Sequence, residues 1–146
     1  MSDLEALGRD MLARALGDKR QEFGSFFLSR LLGFDVQYGS ETCIVTLEAS
    51  RTLFNPQGSL HGGILATAMD ISMGHLLQRS AGAGATLEMQ VQFLAPVTAG
   101  QVRCEASFLR RGGSIAFLQS QARRADSELV AHATSVWKLL KTRSLA

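Results

Sequence analysis

Two hydrophobic periods alternate along this chain, and the places where one gives way to the other divide it into elements. Leu4, Leu7, Met11, Leu12 and Ala15 recur at helical spacing among charged residues and predict an amphipathic helix ending near Gly17. Phe23 to Leu32 reads as a second, short helix. From Phe34 the period falls to two. Val36 and Tyr38, then Cys43, Val45 and Leu47 beyond a turn at Gly39-Ser40, predict a β-hairpin, with Arg51 to Gly58 as a loop after it. Later, Leu87, Met89, Val91 and Phe93 alternate with Thr86, Glu88, Gln90 and Gln92, as in a half-buried strand whose polar set faces solvent. Val102 to Phe108, Ile115 to Arg123 and Leu129 to Leu140 follow as three more strands. Arg110-Arg111-Gly112-Gly113 forms a tight turn between the first two, and Ala125-Asp126-Ser127 a polar turn between the last two.

Between the hairpin and the later strands lies a stretch of a different kind. Asn55, Pro56 and Gly58 are turn formers, Ser59 stands where an N-cap belongs, and Ser59 to Gln78 reads as one long helix. Apolar or small side chains occur all round it, which places it inside a protein or a membrane. Asp70, His61, His75 and the glycines exclude the membrane, since a span needs about 20 predominantly apolar residues. The sum is an α+β layout: an antiparallel sheet of six strands curved round one buried helix, after N-terminal helices. Such a sheet leaves part of the helix uncovered, and a second copy of the chain is the economical cover.

The length is that of one domain, with residues 1–32 as a helical segment and 33–140 as the core. Lys plus Arg number 15 against 13 Asp plus Glu, a net charge near +2 that gives no nucleic-acid footprint. Cys43 and Cys104 fall in strands without metal-ligand spacing and read as small core residues, as expected in a reducing cytoplasm. The acidic residues of Met1 to Asp10 do not fit a signal peptide.

Asp70 is the only carboxylate on the long helix. Burying one costs on the order of several kcal/mol unless it is paired or hydrogen-bonded, so it is either a satisfied structural group or a chemical one. Burial raises its pKa toward a value useful to a base. His61 and Asp70 are nine residues apart, and nine steps of about 100° put them on opposite faces about 13 Å apart along the axis. Both can reach one carbonyl only if two antiparallel helices, related by a two-fold axis, share the site.

Asn55, then His61-Gly62-Gly63, then Asp70 followed by Gly74, resembles the signature of the hotdog-fold acyl-CoA thioesterases of the phenylacetate-degradation (PaaI-like) type. The likeness runs from about Phe34 to Leu140 and includes Phe93-Leu-Ala-Pro96 and the Arg-Gly turn. It implies hydrolysis of an acyl or aryl thioester of coenzyme A by a homodimer, or a tetramer built of two dimers. The resemblance implies neither metal nor bound cofactor, and neither nucleic acid nor membrane is expected as a partner. Asp70 would be general base or nucleophile, while Asn55, His61 and the Gly62 N–H, with Gly63 beside them, would hold and polarise the carbonyl. A backbone N–H in a first helical turn suits a developing oxyanion. Thr86 matches a hydroxyl position that assists the water, or is a plain strand residue. Arg110 and Arg111, with Gly112 and Gly113, would grip the phosphates of coenzyme A, or form a solvated turn. Phe54, Met69, Met73 and Leu77 would wall the acyl pocket. A hotdog dehydratase or hydratase, and a non-catalytic acyl-binding protein, are the competing readings. His75 and Cys104 are read as structural.

Overall fold

The computed structural model describes residues 1–140. Six strands form one antiparallel sheet in the order β1-β2-β4-β5-β6-β3: β1 Asp35–Tyr38, β2 Cys43–Glu48, β3 Gly84–Phe93, β4 Gln101–Arg111, β5 Ile115–Arg124 and β6 Leu129–Leu139. The long helix, α3, spans Gly62–Ala81 and packs against the inner face. Two helices precede the sheet, α1 Asp3–Leu16 and α2 Phe27–Leu32. This is the hotdog architecture.

Small side chains let sheet and helix meet closely. Ala106, Ala116, Ser120, Ala122, Ala133 and Ser135 lie buried on the inner face, opposite Leu65, Ala68, Met69, Ser72, Met73, Leu76 and Leu77 of α3. The hydroxyls of Ser72 and Ser120 bond to each other at 2.8 Å across the two layers, so this polar pair is satisfied within the core.

The helix begins three residues later than the sequence predicts. Ser59 is not its cap: the Leu60 N–H donates to Val97 O and the His61 N–H to Leu53 O, both at 2.8 Å, and these bonds keep the chain extended. His61 is the N-cap instead, its Nδ1 accepting from the Gly63 N–H at 2.9 Å. The loop before it contains one 3-10 turn, Arg51–Leu53.

The N-terminal segment also departs from expectation. α2 starts at Phe27 rather than Phe23, because Glu22 and Ser25 pair across a tight turn and the Ser29 hydroxyl accepts from the Phe26 N–H. The turn lies on α3, where the Gly24 N–H donates to His75 Nε2 at 2.9 Å and the Phe23 ring meets the imidazole edge-on. Part of the cover expected from a second subunit therefore comes from this chain. Two arginines fasten the segment. Arg14 of α1 donates to the Arg30 and Leu31 carbonyls at the end of α2, and Arg30 of α2 donates to the Ala15, Asp18 and Arg20 carbonyls at and beyond the end of α1.

β3 differs from the expected strand by one residue of pleat. A bulge falls between Thr86, opposite Trp137, and Glu88, opposite Val136, and Leu87 is the extra residue. Because faces alternate strictly, the bulge puts Thr86 on the same face as Met89 and Val91, three and five residues on. Thr86 therefore looks toward α3 and not outward with Glu88 and Gln90. Met89 and Val91 pack on the core, while Leu87 and Phe93 stay exposed. β4 extends to Arg111, so Arg110 and Arg111 belong to the strand and the turn is made by the residues after them.

Candidate active site

Asp70 sits two turns into α3, half-buried, and accepts a 3.0 Å hydrogen bond from the Thr86 hydroxyl. Burial pushes its carboxyl above the ordinary carboxylate value, and the Thr86 bond opposes this by favouring the ionised form. The β3 bulge is what makes the pair possible. Thr86 itself remains exposed, and the pair lies beside the side of β3 that has no neighbouring strand.

The other candidates gather at the N-terminus of α3. With the Gly63 N–H bonded to its Nδ1, the His61 ring has Nε2 left as its hydrogen-bond donor, and the residue is exposed. The Ile64 and Leu65 N–H groups both donate to His61 O. The Gly62 N–H meets no acceptor among the described residues, so one donor of this turn stays free. Phe93 packs against this residue: a Cβ on Gly62 would lie 3.1 Å from the tip of the ring, so only glycine lets the two approach so closely. Gly62 and Phe93 line a cavity of about 340 Å³ with Asn55, Ser59, Leu60, Leu65 and Leu94 to Val97. His61 and Gly63 face a second hollow of about 330 Å³ with Phe54 and Ile64.

Asn55 is tied to its own loop. Its Oδ1 accepts from the Gln57 and Ser59 N–H groups and its Nδ2 donates to the Ser59 hydroxyl, which leaves one amide hydrogen for anything else. Asn55 and Gly62 thus come together in one cavity, as Asp70 and Thr86 do at the edge of β3, but Asp70 lines neither hollow.

The two arginines separate. Arg110 opposes Phe117, whose side chain is exposed on the outer face, and Arg111 opposes Ala116, which is buried on the inner one. Arg111 donates to Ser80 O at the end of α3 and lies over the Phe108 ring, while Arg110 makes no hydrogen bond or ion pair among the described residues. At Gly112 a Cβ would collide with Ile115 O, so that glycine serves the turn; Gly113 faces open space. Of the expected pocket walls, Met69, Met73 and Leu77 are core residues, and Phe54 lines the hollow beside His61. No group of His, Cys, Asp and Glu able to hold a metal occurs among the described residues, and none of their helices is long and apolar enough to cross a membrane.

Comparison with known proteins adds the lineage. The family model described as the thioesterase superfamily matches residues 57–131, just over half of the chain. The chain belongs to the thioesterase superfamily. His61, Gly62, Asp70, Thr86, Phe93 and both arginines fall inside the matched stretch of this thioesterase-superfamily chain, and Asn55 just outside it. A candidate esterase of Saccharolobus solfataricus is 34% identical over 88 residues, 59% of this chain and 63% of that protein, so the match spans less than two thirds of that relative. A conserved protein of Pseudomonas aeruginosa is 31% identical, with a TM-score of 0.77 over 82% of this chain and 98% of its own. A Bacillus halodurans protein, crystallised with CoA, has the same fold at 23% identity, with a TM-score of 0.87 over 98% of this chain and 97% of its own.

The sequence reading did not place Phe93 in this cavity, because its place in the alternation marks it as core. The signal that points to it is the pairing of a large aromatic at the end of β3 with the His61-Gly62-Gly63 run.

Proposed function

We propose that this chain is a PaaI-like acyl-CoA thioesterase that hydrolyses an acyl or aryl thioester of coenzyme A to the free acid and CoA, at sites shared between two subunits. The observation that carries the reading is the free Gly62 N–H at one end of α3, together with the half-buried, base-like Asp70 further along the same helix. The Gly62 N–H and the His61 Nε2–H polarise the thioester carbonyl, and Asp70 either takes a proton from the attacking water or attacks the carbonyl itself. Collapse of the tetrahedral centre breaks the C–S bond and CoA leaves as its thiol, with the proton Asp70 took from water in the base route or one from solvent in the nucleophile route, where water then hydrolyses the acyl–Asp70 anhydride to the free acid.

Topology supports the sharing. β3 is an edge strand of ten residues, and its ends carry the two halves of the chemistry: Thr86 beside Asp70, and Phe93 beside Gly62. Antiparallel pairing of β3 with its copy about a two-fold axis brings Phe93 and Gly62 of one subunit to Thr86 and Asp70 of the other. The presence of CoA in the Bacillus halodurans structure supports coenzyme A as the leaving group.

The test is free-thiol release across aryl-, short-, medium- and long-chain acyl-CoA thioesters, followed by subunit exchange between inactive His61→Ala and Asp70→Asn variants. A mixed dimer has one site with both lesions and one with none. With random exchange about half the dimers are mixed, and about a quarter of wild-type activity returns. Confirmed exchange without recovery rules out the shared site, and an inert wild-type protein rules out the activity.

A further inference from the structure

Phe93 has no assigned part in the reaction, yet its surroundings are unusual for a side chain of its size. It ends β3 opposite Ala131, and the backbone just beyond is fixed by the Leu94 N–H bond to Val130 O at 2.8 Å. More than half of the residue's surface, 54%, is open to solvent. The tip of its ring packs against Gly62, with ring carbons 3.1 and 3.2 Å from where a Cβ would stand. Ring and glycine share a wall of the same 340 Å³ cavity, and the glycine is the residue with the free N–H.

Resting on the thioesterase reading, we propose that Phe93 is a positioning residue for that reaction: its ring excludes water from the Gly62 N–H and so keeps this donor free for the developing oxyanion. The physical basis is competition. A backbone N–H open to water is already hydrogen-bonded, and it stabilises an oxyanion only by giving up that partner. The same N–H beside an apolar ring that keeps water away has less to give up, and it acts in a medium of lower effective dielectric. A residue with that task must be large, apolar and in van der Waals contact with the glycine, but need not touch the carboxylate. Phe93 meets each condition. Its exposure in the single chain fits as well, because two-fold pairing along β3 lays this ring toward the partner.

The role predicts a split between the kinetic constants. Phe93→Ala lowers kcat by about tenfold to a hundredfold, short of the 10²–10³ typical of deleting an oxyanion donor outright, with KM for the CoA thioester nearly unchanged. Phe93→Leu, which keeps an apolar cover, recovers most of the loss. Amide hydrogen exchange supplies the decisive readout: Phe93→Ala speeds exchange of the Gly62 N–H several-fold in the folded dimer, and Phe93→Leu leaves it near the wild-type rate. The wild-type and Asp70→Asn enzymes are run alongside, so that failure of the thioesterase reading is seen in them and not in Phe93. A folded, dimeric Phe93→Ala enzyme with normal kcat overturns the proposal. So does an unchanged Gly62 exchange rate in Phe93→Ala, and so does loss of the dimer with loss of activity, which assigns the ring to subunit pairing.

Discussion

The Thr86 hydroxyl donates to Asp70 Oδ1 across the gap between β3 and α3, and this 3.0 Å bond favours the ionised carboxylate against the burial that disfavours it. Thr86→Val removes the donor and leaves burial unopposed, so the pKa of Asp70 rises. The acidic limb of the kcat/KM profile then moves to higher pH, whereas Thr86→Ser leaves it in place. A pH–rate series on the three proteins checks this.

Asp70 also carries a cost to the fold. Its folded pKa lies above its unfolded value, so its contribution to stability is intact below the ordinary 3.8 and is lost as pH rises through the raised value. Asp70→Asn removes the charge and keeps an oxygen for Thr86. At neutral pH this variant is expected to melt higher than wild type while losing about two orders of magnitude in kcat, within the range of a lost general base. The melting difference vanishes near pH 3. Paired thermal melts and thiol-release assays test both halves.

His75 has the opposite charge type and a different pH window. Its Nε2 accepts from Gly24 and burial holds its pKa below the ordinary 6.5, so it is neutral in the fold while the unfolded chain takes up a proton. Its contribution is therefore complete above pH 6.5 and falls as pH drops from there toward the depressed folded value. His75→Leu flattens that slope relative to wild type. It also lowers stability at pH 8 by about 1 kcal/mol, the scale of one lost hydrogen bond. Urea titrations from pH 5 to 8 give the comparison.

Arg110 and Arg111, adjacent in sequence, are expected to fail differently. Arg110→Ala raises KM for CoA thioesters several-fold and weakens its dependence on ionic strength, without changing the melting temperature. Arg111→Ala deprives the end of α3 of its Ser80 bond and lowers the melting temperature by a few degrees, for about 1 kcal/mol lost, with KM near normal. Steady-state kinetics at two salt concentrations, with melts, separates the two.

Most of the architecture was legible because the two hydrophobic periods are long and clean, and α3 is apolar on every side. The misreadings share a cause. Ser59 looks like a cap, but long-range bonds to Val97 and Leu53 hold that stretch extended, and no local preference reveals them. Thr86 belongs by alternation to the solvent set, and one inserted residue of bulge turns it inward. Arg110 and Arg111 read as a turn because of the glycines after them, whereas strand pairing with β5 runs through both. At the site, Asp70 announces itself as an isolated carboxylate. The contact of Phe93 with Gly62 depends on how strand and helix lie in space, and spacing along the chain does not encode that.

The crossed arginines of the N-terminal segment bear on how this protein opens. Each helix has closing carbonyls served by the other's arginine, since Arg14 serves α2 and Arg30 serves the end of α1 and the residues after it. Two helices of 14 and 6 residues, too short to persist singly in water, are thereby joined into one cooperative unit. Fraying of either releases both, and with them the turn that covers His75. Amide protons of the two helices should therefore exchange with a single opening free energy, lower than that of the sheet, and the outer face of α3 is uncovered in one step.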